Sequence, residues 1–299
     1  MNNIVKYLIF YLLFPGFCFS FALSILVGYI DRKLTARLQY RQGPPLLQNL
    51  YDFLKLVSKE VVIPNTANSL IFVIAPVIGF ASIILASTIL WVSIFFKQGF
   101  VGDVIVFIYI LTIPSVMLML SSSSTGNIIA SLGVSREIKM LLSYELPLIT
   151  ALLVPILKAR SLKLIDIFSS NTISLSSLIS FVVVLLCMHA KLGLVPFDAP
   201  EAETELAGGI LIEHSGFLLG LVKLTKQIML TIVPGFIAGV YFYSKNLIVF
   251  FVVYLVILIL ITLIRNTNPR LKIQQSLKFF WFGLFPLAIL SIILYLFGS

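Results

Sequence analysis

The segment PFDAPEAETELAGG, residues 196–209, is rich in carboxylates. Five of the chain's twelve acidic residues fall between positions 198 and 213, namely Asp198, Glu201, Glu203, Glu205 and Glu213. If this segment is partly helical, Asp198, Glu201 and Glu205 share one face, because they are spaced i, i+3 and i+7. Carboxylates that lie close together cannot all ionise at low cost, so some of their pKa values rise and their protons become coupled. Such a cluster can hold and transfer protons near neutral pH.

Two other interpretations of the acidic segment stay open. It can be a solvated loop with no chemical role, or the carboxylates and His214 can bind a divalent ion. The spacing matches no standard metal-binding loop, and we predict no metal site. Prolines before the acidic residues and two glycines after them favour a segment of defined shape.

Glu145 is a second candidate, because it lies inside the otherwise apolar stretch LLSYELPL. A charged residue at the centre of a membrane span costs roughly 2.5–3.5 kcal/mol on insertion scales, and such residues mark ion pathways. We predict a pathway role, with a neutral structural carboxyl as the alternative. Pro147 is predicted to break the helix locally. Lys223 and Lys226 pose a similar choice between a pathway role and snorkelling to the membrane surface.

The composition predicts that membrane helices position these residues. The chain is 60% hydrophobic and 11% charged, whereas soluble domains carry roughly 25% charged residues. Residues 104–135 contain no charge, and about 20 apolar residues suffice for a helix to cross a bilayer. We predict one all-α integral membrane domain over residues 1–299. Its eight transmembrane helices are predicted at about 4–30, 68–96, 103–122, 141–158, 176–197, 216–243, 246–265 and 279–297.

The basic residues predict the orientation of these helices. Twelve Lys and Arg residues lie near one set of helix ends and six near the other, and the richer side faces the cytoplasm. This places loops of about 31–67, 123–140, 198–215 and 266–278 in the cytoplasm and both termini outside, in the plasma membrane. Because these loops account for the positive charge, we predict lipid as a partner and no nucleic acid.

Within the first of these loops, residues 46–60 have apolar side chains at helical spacing. The segment is too short and too charged to span, so we predict an amphipathic helix that lies on the membrane surface or contacts a partner. The preceding arginines Arg32, Arg37 and Arg41 can attract lipid headgroups, an acidic partner or the glutamates of the later loop.

The two cysteines predict no metal chemistry in this chain. Cys18 and Cys187 each lie in an apolar stretch and are predicted to be buried. No CxxC motif is present, so we expect no iron–sulfur cluster or structural zinc here.

Two motifs together resemble a known family. DRKLTARLQYRQGPPLLQNLYDFLKLVSKE, residues 31–60, is followed by PFDAPEAETELAGGILIEHSG, residues 196–216. This order resembles the eight-helix membrane subunit shared by respiratory complex I and energy-converting membrane-bound nickel–iron hydrogenases. SREIKMLLSYELPL and LKFFWFGLFPLAIL extend the resemblance over nearly the whole chain.

The resemblance implies a bundle of tilted helices that couples redox chemistry to ion movement. It implies peripheral-arm partners of the iron–sulfur and hydrogenase-large types, and antiporter-like and small membrane subunits. Iron–sulfur clusters, and in the hydrogenase branch a nickel–iron centre, would belong to the partners, with no cofactor in this chain. Glu201, Glu203, Glu205 and Glu213 would form a junction cluster that Glu145 continues into the membrane. The interface with the redox arm would include Asp31, Arg32, Arg37, Arg41, Arg136 and His214.

Departures from the quinone-reducing members favour the hydrogenase side of this family, or related complexes that reduce sulfur compounds. AKLGLV stands where those members usually have an ETNRA-like segment, and GPP where they have GPNRVG. His214 replaces a tyrosine, and Lys226 replaces a common glutamate. We therefore predict a membrane component of a hydrogenase-type, ion-translocating oxidoreductase. The alternatives are the quinone-site subunit of a complex I-type dehydrogenase, a sulfur-compound reductase subunit, a stand-alone secondary transporter and a structural anchor.

Overall fold

A computed structural model describes residues 9–170, 172 and 174–298. Over this part of the chain every regular element is helical and no β-strand is present. Seven helices are long and apolar enough to cross a membrane, and a shorter apolar helix, Leu175–Lys191, matches the fifth predicted span. The prediction of an all-α, multi-pass membrane protein is confirmed.

The helices follow one another with short connections, and residues 9–12 form a further helical turn before them. In chain order they are α1 Phe17–Leu38, α2 Gln48–Val57, α3 Ser69–Phe95, α4 Asp103–Ser123, α5 Ile128–Ala159, α6 Leu164–Ser169, α7 Leu175–Lys191, α8 Glu203–Leu206, α9 Gly216–Phe242, α10 Leu247–Thr267, α11 Ile273–Lys278 and α12 Phe285–Leu296. A π-helical segment, Phe279–Leu284, joins α11 to α12.

Helix α5 differs most from the prediction. It begins at Ile128, thirteen residues before the predicted start at 141, and it contains Pro147 without interruption. The predicted break is therefore wrong. The Thr150 hydroxyl donates to the carbonyl oxygens of Leu146, at 3.0 Å, and Pro147, at 2.9 Å. The carbonyl that loses its helical donor at Pro147 is that of Ser143, four residues earlier, and the helix continues despite this loss.

Other boundaries differ from the prediction for identifiable reasons. Helix α1 continues to Leu38, so the first predicted loop begins later. Helix α7 ends at Lys191, before the predicted 197, and Gly193 two residues on has a φ of +64°. A left-handed glycine at this position is a common helix stop. The last span begins at Ile273, within the loop predicted over 266–278.

The chain forms two compact units. The first contains residues up to Phe95, Val106–Glu137 and Pro200–Ile232. Here the predicted helix within residues 46–60 is present as α2, which packs on α1 and α9 and leaves Tyr51, Leu54 and Val57 exposed. Cys18 is also exposed, contrary to the prediction. It lies in the apolar helix α1, where an outward-facing position in a membrane span meets lipid instead of a protein core.

The second unit contains Phe96–Ile105, Ile138–Ala199 and the chain from Val233 onward. Helix α12 packs against α7. The Ser180 hydroxyl of α7 donates to the carbonyl of Ala151 at 2.7 Å and lies 2.5 Å from the Tyr241 hydroxyl. The buried Asp103 begins α4 and accepts a 2.6 Å hydrogen bond from the Leu164 backbone, at the start of α6. Cys187 is buried, as predicted.

Candidate functional site

The acidic segment is a shaped loop and not one helix. A 3₁₀ turn, Ala199–Glu201, precedes the four-residue helix α8, and a second 3₁₀ turn covers Gly209–Leu211. The prediction that Asp198, Glu201 and Glu205 share one helical face is therefore wrong. Glycines with positive φ interrupt the helical path, with Gly208 at +95° and Gly209 at +49°.

The loop from Pro200 to Gly216 is held tightly within the first unit. A Cβ atom on Gly209 would lie 2.1 Å from the Pro200 carbonyl oxygen, and one on Gly133 of α5 would lie 2.6 Å from the Ile210 nitrogen. The Ser122 hydroxyl also donates to the Ile210 carbonyl at 2.6 Å. These approaches bring the loop backbone against the start of α5 and the end of α4.

We expect Gly209→Ala to loosen this loop. The added methyl group meets a backbone oxygen, and a left-handed alanine costs about 1–2 kcal/mol by itself. Limited proteolysis of the assembled protein should cut within residues 200–216 at least severalfold faster than in the parent. Gly193→Ala is the control, because its φ is +64° but nothing lies within 4 Å of the added atom. Equal cleavage rates in the two variants would show that the close approach is unimportant.

Glu201 of the loop belongs to a group of three interacting charged side chains. Its carboxylate pairs with the Lys226 ammonium of α9, and the side chains are 25% and 33% exposed. Glu137 of α5 interacts electrostatically with both, and it hydrogen-bonds to Ser115. Two carboxylates and one ammonium share this region, so protonation of one group changes the free energy of ionising the others.

Two more loop carboxylates meet partners at the start of α5. The Arg136 guanidinium donates to Glu205 at 2.6 Å. The Asn127 amide donates to Glu213, while its carbonyl oxygen caps α5 by accepting from the Ile129 nitrogen at 2.8 Å. Glu213 thus lies near the positive end of the α5 helix dipole. Glu203 begins α8, and its side chain lies outside the described part of the structure.

His214 is a buried structural residue next to these acids. Its ring stacks on Phe72 with centroids 4.9 Å apart, and Nε2 lies 2.9 Å from the Ser121 hydroxyl. That hydroxyl donates to the Phe72 carbonyl at 3.0 Å, so Nε2 carries the proton and donates. Nδ1 has no hydrogen-bond partner among the described residues. Burial lowers the pKa of His214 to about 4, although the Glu213 charge acts in the opposite direction.

His214 should make the fold sensitive to acid. Above pH 6.5, its ordinary pKa, the residue is neutral whether folded or unfolded. As pH falls from 6.5 to about 4, only the unfolded chain takes up the proton, which removes about 3 kcal/mol of unfolding free energy. We expect the thermal midpoint of the parent to fall more steeply over this window than that of His214→Gln. Parallel pH profiles for the two proteins would contradict this assignment.

The second unit holds the other predicted acids. Asp198 is 12% exposed and accepts from the Arg270 guanidinium at 2.9 Å. The Leu271 nitrogen donates to the Pro196 carbonyl at 3.0 Å in the same region. Glu145 interacts electrostatically with Lys191, which is 4% exposed. Asp198 therefore forms an ion pair with Arg270, whereas Glu145 is shown only to interact electrostatically with Lys191.

The basic residues predicted to face a redox arm fall into two groups. Arg37 and Arg41 are exposed at the end of α1, and neither has an ion-pair partner in the described structure. Arg32 instead pairs with Asp52 of α2 at 2.7 Å, and Arg136 with Glu205. Asp31 is 6% exposed, so its carboxylate is largely inside the protein and not at an open surface.

Sequence reasoning missed two charged residues that the structure places beside the predicted ones. Glu137 falls in a predicted loop, where a carboxylate is normally solvated. Lys191 falls near the end of a predicted span, where snorkelling is the ordinary interpretation. No local pattern in SREIKM or AKLGLV could have identified both, because the charges that act on Glu137 and Lys191 lie on distant segments of the chain. Over the described residues, no three His, Cys, Asp or Glu side chains form a group able to hold a metal.

These features define an α-helical, multi-pass membrane protein with a carboxylate loop packed on several of its spans. The sequence profile of the NADH dehydrogenase family matches residues 10–296, and the chain belongs to this family. This confirms the family resemblance carried by the two loop motifs.

Similar proteins align with this chain over nearly its full length. An NADH-quinone oxidoreductase subunit of Anoxybacillus flavithermus is 31% identical, over 90% of this chain and 89% of the relative. The corresponding protein of Geobacillus sp. is 29% identical, over 93% and 90%. The fold also matches a chain in the structure of an archaeal membrane-bound sulfane sulfur reductase, with a TM-score of 0.85, 23% identity, and coverage of 93% and 96%.

Proposed function

We propose that this chain is the membrane subunit of a complex I-like oxidoreductase that links redox chemistry in a peripheral arm to ion movement in the membrane. The observation that carries the proposal is the charge group of Glu201, Lys226 and Glu137. The loop that holds Glu201 is bound to α4, α5 and α9, so a displacement of the loop changes the separation of these charges.

The chain's own residues would act as a charge relay. A redox event in a neighbouring protein of the complex moves or recharges the loop over residues 200–215, and the Glu201–Lys226 pair weakens. Glu137 then changes its protonation, because the nearby ammonium no longer balances its charge. Glu205 and Glu213 position the loop through Arg136 and Asn127. In the second unit, Glu145 and Lys191 would add a further acid and base that interact electrostatically.

The partners and orientation follow the sequence predictions. The exposed Arg37 and Arg41 would contact a peripheral arm of iron–sulfur and hydrogenase-large-type subunits, which would hold the iron–sulfur clusters and a nickel–iron centre. Antiporter-like and small membrane subunits would take up the coupled ion movement. The loops would face the cytoplasm and both termini the outside of the plasma membrane.

The positions at which this sequence departs from the quinone-reducing members of the family favour a hydrogen-evolving or sulfur-compound-reducing complex. Lys226 stands where the family commonly has a glutamate, which would repel Glu201, and it forms an ion pair with Glu201 instead. His214 is buried and contacts Ser121 and Phe72. A quinone-reducing complex is the second candidate, because the relatives from Geobacillus and Anoxybacillus are named as parts of an NADH-quinone oxidoreductase.

Purification of the native complex in mild detergent tests this proposal. We expect a copurifying partner with paired CxxC motifs, together with electron transfer to protons, to a sulfur compound or to quinone. Hydrogen production or sulfur-compound reduction without quinone reduction would support the leading assignment, and quinone reduction would support the second. A chain that purifies without any redox partner would contradict both.

A further inference from the structure

A row of four buried rings lies in the second unit, and the charge relay does not use it. The ring centroid of Phe197 lies 4.9 Å from that of Phe280, which in turn lies 6.3 Å from that of Tyr144. The His189 ring lies 6.2 Å from the Phe197 ring. All four residues are at most 3% exposed. The row therefore belongs to the protein interior and not to a lipid-facing surface.

The two ends of the row are next to a pair of interacting charges. Tyr144 directly precedes Glu145 in α5, and His189 lies two residues before Lys191 in α7. Glu145 and Lys191 interact electrostatically, and the energy of such an interaction depends on the separation of the charges. A displacement of Phe197 that shifts α5 or α7 therefore changes the interaction between the acid and the base.

The segment that contains the central ring is attached to the last span. Residues 196–198 lead along the chain into the carboxylate loop. The backbone carbonyl of Pro196 accepts from the Leu271 nitrogen at 3.0 Å, and the Asp198 carboxylate accepts from the Arg270 guanidinium. Both partners come just before α11. A movement at the start of the carboxylate loop is therefore communicated to the start of the last span.

The last span has its π-helical turn where the row of rings meets it. The Phe285 nitrogen donates to the Phe280 carbonyl, five residues earlier. Pro286 favours this geometry, because in a continuous α-helix its ring clashes with the carbonyl four residues earlier. Phe279 and Phe280, both in this turn, pack on Phe197 with centroids 5.8 Å and 4.9 Å away. π-helical turns inside α-helices are frequent at functional sites.

We propose that Phe280 is a positioning residue for Glu145, and that it transmits a movement of residues 196–198 to α5 through Tyr144. Protein interiors are close-packed and have low compressibility, so a shift of one buried ring displaces the rings in contact with it. Phe280 carries no proton and acts through packing alone. The inference rests on the proposed function, because it adds a route by which movement of the carboxylate loop reaches the charges of the second unit.

Fluorine NMR of the purified complex tests this inference. para-Fluorophenylalanine in place of Phe280 keeps the ring, and we expect its signal to shift when electron donor and acceptor are supplied. The shift should disappear in Phe197→Leu. The same label in place of Phe250 is the matched control, because Phe250 is equally buried but its ring packs on Tyr243 and Phe251. An unchanged signal at position 280, or an equal shift at position 250, would overturn the inference.

Substitutions give a second readout. Phe280→Leu should lower the number of ions translocated per electron roughly fivefold, within the range found for residues between coupled sites. Phe250→Leu should lower the thermal midpoint by a similar amount and leave that ratio unchanged. Because Phe197 and Phe280 lie on one route, Phe197→Leu/Phe280→Leu should lower the ratio no further than either single variant.

Losses that multiply in the double variant would indicate two independent packing defects and would also overturn the inference. The fluorine signal reports movement of the ring whether or not ions cross the membrane. A complex that shows the shift without ion uptake would contradict the coupling proposal and keep the packing route. Ion uptake without the shift would do the reverse, so the two proposals fail separately.

Discussion

Glu201→Gln is expected to lower redox-driven ion translocation by roughly a hundredfold, the lower end of what a positioned proton-transfer group contributes. Glutamine keeps the shape and the capacity to accept a hydrogen bond from Lys226, but it removes the negative charge. The Lys226 ammonium is then left with Glu137 alone, and the loop no longer controls the ionisation of that carboxylate. Ion uptake by proteoliposomes that contain the purified complex, together with its electron-transfer rate, measures the effect.

Glu60→Gln is the matched control, because Glu60 is an exposed carboxylate whose side chain has no ion pair in the described structure. It should translocate ions at the parent rate. Glu205→Gln should give a smaller loss than Glu201→Gln, since Glu205 is 54% exposed and acts by positioning the loop. Full translocation by Glu201→Gln in an intact complex would exclude the charge relay.

Lys191→Met should have the second large effect, on stability as well as on coupling. Lys191 is 4% exposed and interacts with Glu145. Lys191→Met removes a buried cation, and the half-buried Glu145 then loses the opposite charge that acts on it. We expect a marked drop in the thermal midpoint of the complex and a loss of ion translocation.

The double variant Glu145→Gln/Lys191→Met separates structure from function. It removes both charges, so we expect the thermal midpoint to return towards that of the parent while translocation stays low. Recovery of translocation along with stability would mean that Glu145 and Lys191 form only a structural pair. Comparison of Glu145→Gln and Lys191→Met with the double variant gives the coupling energy of the two residues directly.

The membrane spans could be predicted because each is a long apolar run. The start of α5 could not, since Arg136, Glu137 and Lys139 interrupt the apolar pattern and look like loop residues. The structure shows a helix that carries its charged turns beyond the apolar part, where they meet the acidic loop. Hydropathy locates the apolar part of such a helix and not its full length.

The acidic loop could be located from the sequence, but Glu137 and the partners of the loop acids could not. Lys226 is 25 positions from Glu201, Arg136 is 69 from Glu205, and Asn127 is 86 from Glu213. Pairings at such distances depend on how the helices pack, which no local pattern reveals. The same packing explains why the acids lie on short turns and not on one helical face.

The most direct test of the account is redox-driven ion uptake by the purified complex in proteoliposomes. The account predicts uptake that starts when electron donor and acceptor are supplied, stops when either is withheld, and collapses with an ionophore for the translocated ion. Electron transfer at its full rate without any ion uptake, in sealed vesicles, would contradict the claim that this chain couples the two.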